Sequence, residues 1–497
     1  MKVTAHQPFV STLPTDDVHP YRTGTWQPQV TEYDAWDLDV QGKIPEDLTG
    51  IYVRNTENPL MEAIGTYHPF DGDAMLHSLS FSNGDAVYRN RFVRTDGLLA
   101  EQAAGEALWA GAATKKSLTK VDYGWGAREL MKDASSTDVV VHNGAILSSF
   151  WMCGDLYRHD PATMEALGVE SWDGKFPLQG VSAHAKVDEH TGEMLFFNYD
   201  NTSPFMHYGV VGPTGQLTHY TDIPLPGSRL PHDMAITENY SILSDFPLFW
   251  DPAALANGAN MARFHRDMPS RFGIVPRYGD ASSIQWFEAD PTFVLHFTNA
   301  YEDGDEIVLD GFFQSNPMPD PVTGLSRRDN VLRYLDMYAL QARSHRWRFN
   351  LKTGQTSEMS TGDGILEFPA INNQYLGRKA RYAYCALPCE GWFGFEGLVK
   401  HDLVTDEKQV VRLPEGVFCS EAVVAAKDGA DTSTPDGEQD AYVLTFISDM
   451  NNDSSSCLIY EAADLGAGPV ATVRLPERIA SGTHATWGSA DAISPRA

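Results

Sequence analysis

Short runs of alternating apolar and polar residues, each broken off by Gly, Asn, Asp or Pro, recur along almost the whole chain and leave little room for long helices. AMLHSLSF (74–81) and AVYRNRFV (86–93) flank the turn tetrapeptide SNGD. GEMLFFNYD (192–200), AITENYSILSDF (235–246), ARYAYCAL (380–387), DAYVLTFISD (440–449) and SSCLIYEA (455–462) repeat the pattern. Alternation places every second side chain on one face, so these runs predict strands joined by tight hairpins. A looser echo lies between them. DPATMEALG, DEHTGEMLF, GPTGQLTHY and NLKTGQTSEM each place Asp, Gly or Asn, then Thr, ahead of a resuming strand. Turn residues recurring through so long a chain favour an all-β propeller, whose radial repetition leaves only short edges. The expectation is one domain over 1–497 with a short N-terminal extension of about 1–30. Segments 250–270 and 326–347 are the expected helices, and Lys427 to Gln439 an expected surface loop.

A formal charge of −30 argues against nucleic acid and against a polybasic contact with anionic lipid. The five cysteines (153, 385, 389, 419, 457) are an odd set without paired spacing, so free thiols in a reducing compartment are expected. MKVTAHQPFVSTLPTDD has no apolar signal core, and no run is long enough to span a membrane. The expected location is cytoplasmic. There is no Walker loop, no strand-to-helix GxGxxG, no HExxH and no G-x-S-x-G, so neither nicotinamide, flavin nor a serine nucleophile is supported.

What remains are sixteen histidines. His184 (GVSAHAKVDEH), His232 (RLPHDMAIT), His296 (FVLHFTNAYE) and His484 (SGTHATWGS) adjoin strand-like runs. Neutral imidazole suits iron. A histidine bonded to a backbone partner would look the same in sequence, and His190 and His207 rank as high. Spacing alone does not select the four.

From Pro45 to Trp487 the chain resembles the carotenoid cleavage oxygenase family, which includes lignostilbene dioxygenases, isoeugenol-cleaving enzymes and the retinoid isomerohydrolase. The resemblance is carried in order by GIYVRNTENP, YHPFDGDAMLHSLSF, YRNRFVRT, AHAKVDEHTGEM, PHDMAIT, HFTNAYE, EFPAIN, RYAYC and GPVATVRLPERIASGTHATW. It implies a seven-bladed β-propeller with a helical or loop lid and one Fe(2+) held by His184, His232, His296 and His484. It also implies that Glu367 orients His296 and that Glu421, in FCSEAVV, orients His484. A third glutamate usual in the family is missing: SSFWMCGDLYRHDP offers Trp151 or Met152 instead, which leaves His232 to Asp155 or a backbone carbonyl.

The implied reaction is cleavage of a carbon–carbon double bond with O2 as cosubstrate, giving two carbonyl products. In lignostilbene-type relatives a Lys and an upstream Tyr engage the phenol; the matching positions here are read as Phe150 and an alanine of WAGAA (109–113). An apolar wall of Phe70, Phe150 and Trp151 then favours an apocarotenoid, with a stilbene or phenylpropene as the alternative substrate. A propeller that binds an apolar ligand without catalysis is a further alternative. In each case the partner is a small apolar alkene or ligand.

Overall fold

The computed structural model describes residues 1–124, 131–259, 261–431 and 437–495. The expected hairpins form. In SNGD, Asn83 and Gly84 take φ of +52° and +77°, the mirror-image turn that matches strand twist, and join Met75–Ser82 to Asp85–Phe92. The Asp-x-x-Thr echo also has a structural basis. In DPATM, DEHTG and NLKTG the first side chain accepts a backbone N–H within the turn, and the fifth residue donates its N–H to the first carbonyl. That fifth residue is left-handed: Met164 at +60°, Gly192 at +72° and Gly354 at +72°. DLVTD (402–406) is a further copy, with Asp406 at +61°.

The strands assemble into seven blades. Their innermost strands are Asp138–His142, Lys186–Asp188, Ala235–Ile236, Phe297–Asp303, Glu367–Ala370, Val423–Ala426 and Ala485–Ser489. Each is followed outward by antiparallel neighbours, except that Ala485–Ser489 pairs with Gly50–Arg54, which leads on to Met75–Ser82 and Asp85–Phe92. That blade is therefore made from both ends of the chain. The blade of Val423–Ala426 is sealed in the opposite sense, with Val40–Gly42 on its outer edge beside Ala471–Arg474. Lys2–Ala5, inside the expected extension, adds an edge strand to Tyr33–Trp36.

Apolar layers between blades hold the ring. Phe272 of one blade meets Trp347 and Phe349 of the next at 5.4 and 5.1 Å between ring centres, and Tyr52 stacks on Phe446 at 4.5 Å. The expected helices are shorter than foreseen. Pro252–Ala256, Arg327–Leu332 and Met337–Leu340 are helical, and strands take up the rest of 262–264 and 342–347. Asp96–Ala104, started by Thr95 and stopped by Gly105 at φ +70°, is a helix that the sequence did not announce, since its Ala-rich face buries little. Residues 432–436 of the expected loop lie outside the described residues. Next to them Glu438 is buried, not exposed, and accepts the backbone N–H groups of Arg381 and Tyr382.

Candidate metal centre

Each innermost strand begins at the same end of the ring, and each brings one polar side chain there. In ring order these are Asp138, His184, His232, His296, Glu367, Glu421 and His484. The four histidines converge. One ring nitrogen from each lies within 4.8 Å of the others, and all four residues are buried. The Nε2 atoms of His184 and His232 are 3.1 Å apart. Among the described residues no second histidine cluster forms: His190 bonds the carbonyl of Gln374 at 2.8 Å and His207 bonds Asn198 at 2.8 Å.

Carboxylates fix the rings. His296 donates from Nδ1 to Glu367 at 2.6 Å, and His484 Nδ1 lies 3.3 Å from both oxygens of Glu421. With Nδ1 protonated, each Nε2 carries a lone pair toward the centre. Phe368, held at φ +52°, stacks on His484 at 4.8 Å and touches His296 at 4.6 Å, so both rings are walled. His184 sits at φ +68°, a conformation rare outside glycine, and its N–H is held by Asp138 Oδ2 at 2.8 Å. Asp233, next to His232, accepts Lys186 Nζ at 2.7 Å and the N–H of Phe297 at 2.8 Å, tying three successive blades together. Asp138, Asp233, Lys186 and Phe368 were not picked out from sequence, although buried charges beside apolar runs such as TDVVV and PHDM were a usable signal.

Burial, and then the neighbouring imidazoles, push the pKa of His184 and His232 well below the ordinary value; burial leads for His296 as well. For His484 burial acts in the same direction, but Glu421, Asp138 and Glu57 outweigh it and the pKa rises. Burial pushes Glu367 up to about 8. Nε2 of His296 is buried without a hydrogen-bond partner among the described residues. Convergent imidazoles, three of them held neutral by burial and one with an unpaired inward nitrogen, fit a divalent cation, which would offset the cost of burying those groups unpaired.

A separate, mostly apolar cavity of about 490 Å³ is walled by residues other than the four histidines. Leu295, which directly precedes His296, lies in its wall, together with Trp151, Trp250, Phe293, Met318 and Leu340. A family model described as retinal pigment epithelial membrane protein matches residues 26–489.

The chain belongs to the carotenoid cleavage oxygenase family.

It is 31% identical to the carotenoid 9,10(9',10')-cleavage dioxygenase of Crocus sativus, over 94% of this chain and 88% of that one. Among solved structures, the lignostilbene dioxygenase of Pseudomonas brassicacearum superposes with a TM-score of 0.81 at 25% identity, covering 97% of this chain and 100% of that one. The cobalt-substituted oxygenase ACO of Synechocystis gives 0.81 at 25% identity, covering 94% and 98%.

Set within the carotenoid cleavage oxygenase family, two local departures stand out. Met152 is buried with its sulfur 3.7 Å from the Tyr199 hydroxyl, which donates to the carbonyl of Trp151 at 2.7 Å; no hydrogen bond joins Asp155 or a backbone carbonyl to His232 among the described residues. Of the three expected wall residues, Trp151 lines the cavity and Phe70 and Phe150 do not. Phe150 is fully buried in the core around Phe197 and Tyr208, while Trp151 lines the cavity. Successive residues leaving an extended strand point opposite ways, so one of the pair enters the core and the other the wall. Phe70 is half-buried; it reaches Trp151 at 6.1 Å but is not itself in the wall.

Proposed function

We propose that the protein is a non-haem iron(II) dioxygenase that cleaves a double bond of an apocarotenoid with O2, giving two carbonyl products. The convergence of four buried histidines in a chain of this family carries this reading. Iron would be held by His184, His232, His296 and His484, and would supply the redox centre that activates O2. Glu367 and Glu421 keep the protons of His296 and His484 on Nδ1, away from the metal. The cavity's apolar wall would hold the polyene. The name of the Crocus relative supports the substrate class.

Stilbene cleavage, the activity named for the Pseudomonas structure, is the competing reading. Against it, no lysine, arginine or carboxylate lines the cavity among the described residues, so nothing there would ionise a phenol. One aerobic assay decides, with apo-8'-carotenal and resveratrol side by side and products identified by mass. Cleavage of the apocarotenal at the higher rate is expected; turnover of resveratrol with the apocarotenal inert overturns the substrate assignment. The same reading takes residues 1–497 as one propeller domain, supported by the pairing of Gly50–Arg54 with Ala485–Ser489. The five buried cysteines without disulfides support a cytoplasmic location. No helix among the described residues is long and apolar enough to cross a membrane.

A further inference from the structure

Two of the four histidine rings rest on a side chain whose own backbone is in an unfavourable conformation. Phe368 stacks on His484 at 4.8 Å, with 18° between the planes, and meets His296 at 4.6 Å. Its φ of +52° is one that a phenylalanine keeps only where the surroundings impose it. Its N–H donates to Glu367 Oε2 at 2.7 Å, the same oxygen that takes the Nδ1 proton of His296. Movement of Phe368 would therefore disturb two rings and the carboxylate that orients one of them.

What imposes that conformation is the packing behind the ring. Phe395 lies at 4.9 Å and Phe393 at 5.7 Å between ring centres. Phe395 opens the strand Phe395–Asp402 and is fixed by its sheet. Phe393 lies outside both strands of that hairpin, and its backbone is held by side chains from segment 21–26. Its N–H donates to the Tyr21 hydroxyl at 3.0 Å, and its carbonyl accepts the indole N–H of Trp26 at 3.0 Å. Trp26 also stacks on the Phe393 ring at 5.4 Å, and both Tyr21 and Trp26 are buried. The same segment reaches the loop before a ligand: the carbonyl of Thr25 accepts the N–H of Ser481, close ahead of His484, at 2.6 Å. A segment that merely covered the end of the ring could bond to any loop. This one bonds to the two loops that abut the same pair of histidines.

We propose that Trp26 is a positioning residue of the metal centre, acting through Phe393 on Phe368 and so on the orientation of His296 and His484. This rests on the reading of the four histidines as a metal site, and it holds whichever alkene is cleaved. Trp26 touches neither ligand. Its loss frees the Phe393 loop, lets Phe368 relax toward an ordinary backbone conformation, and turns the two imidazoles away from their common aim.

Cobalt(II) alone is the probe, added to metal-free protein, because its visible d–d bands report coordination geometry. Trp26→Leu should shift the bands of the unaltered protein and weaken cobalt binding about tenfold. Trp26→Phe, which keeps the stack and loses only the indole donor, should recover most of both. Phe393→Leu removes the intermediate ring and should reproduce the Trp26→Leu bands; it carries the test if Trp26→Leu does not fold. Phe349→Leu, in a fully buried layer between blades, is the control: it should lower the melting temperature and leave the bands in place. Unmoved bands and undiminished affinity in folded Trp26→Leu or Phe393→Leu overturn the proposal, whatever happens to the melting temperature. So does an equal shift in Phe349→Leu, since any loss of core packing would then suffice. An unaltered protein that takes up no cobalt removes the metal site itself and this proposal with it, an outcome distinct from binding with unmoved bands.

Discussion

An imidazole offers a lone pair to a metal when its other nitrogen holds the proton, and the means of holding that proton differ from ring to ring here. His296 and His484 have carboxylates; His232 has no such partner among the described residues, and His184 is held through its backbone. Replacing His184, His232, His296 or His484 by Ala should abolish iron binding and activity, measured by metal analysis and product formation. His190→Ala and His207→Ala should retain both. Glu367→Gln and Glu421→Gln should lose about 10–100-fold in iron affinity or rate. Glu415→Gln, on an exposed turn, serves as the control. If all three behave alike, the carboxylates do not orient the ligands. The histidines themselves were readable only through the family motifs, because ligands drawn from four blades have no local spacing. Phe150 and Trp151 both read as wall residues in sequence, because neighbouring aromatics at the end of a strand give no local sign that one turns to the core and the other to the cavity.

Hairpins are governed by neighbours in sequence, and they were the most readable elements of this chain. SNGD and the Asp-x-x-Thr turns carry their own backbone instructions, so the strands they join were evident. Gly354 tests this. A Cβ there would meet nothing within 4 Å, yet its φ of +72° remains. Gly354→Ala should therefore lower stability by about 1–2 kcal/mol in a denaturant titration, from backbone strain alone. Elements set by tertiary packing were less readable: the two expected helical segments break early because strands of the neighbouring sheets claim their residues. The tie between innermost strands is of that kind too. Lys186→Met leaves Asp233 with only its backbone donors, at a cost of about 1–3 kcal/mol. Because this tie joins the strands that carry His184 and His232, iron affinity should fall along with melting temperature. Lys186→Arg should recover both. A change in melting temperature with unaltered iron affinity would limit Lys186 to a structural role.

At the scale of the whole molecule, the four ligands come from blades spread around the ring, so a metal bound at the centre is bound only by the closed form. Metal that binds the native state alone stabilises it by about 3–4 kcal/mol when its concentration exceeds the dissociation constant 100- to 1,000-fold. Chelation should lower the melting temperature, and ferrous iron should restore it. An unchanged melting temperature would place the metal elsewhere. The seal has a different consequence, in the time order of folding. Gly50–Arg54 is buried along its whole length, and its partner on one side is Ala485–Ser489. The two are separated by the other six blades, so this pairing is among the most non-local in the molecule and among the slowest to form. Until it does, an early strand of apolar character waits with one edge bare, free to find the same edge on a second chain. Crowded refolding should therefore yield linked rings and aggregates where dilute refolding yields monomeric ones: the feature that finishes the propeller is also the one through which two unfinished propellers would join.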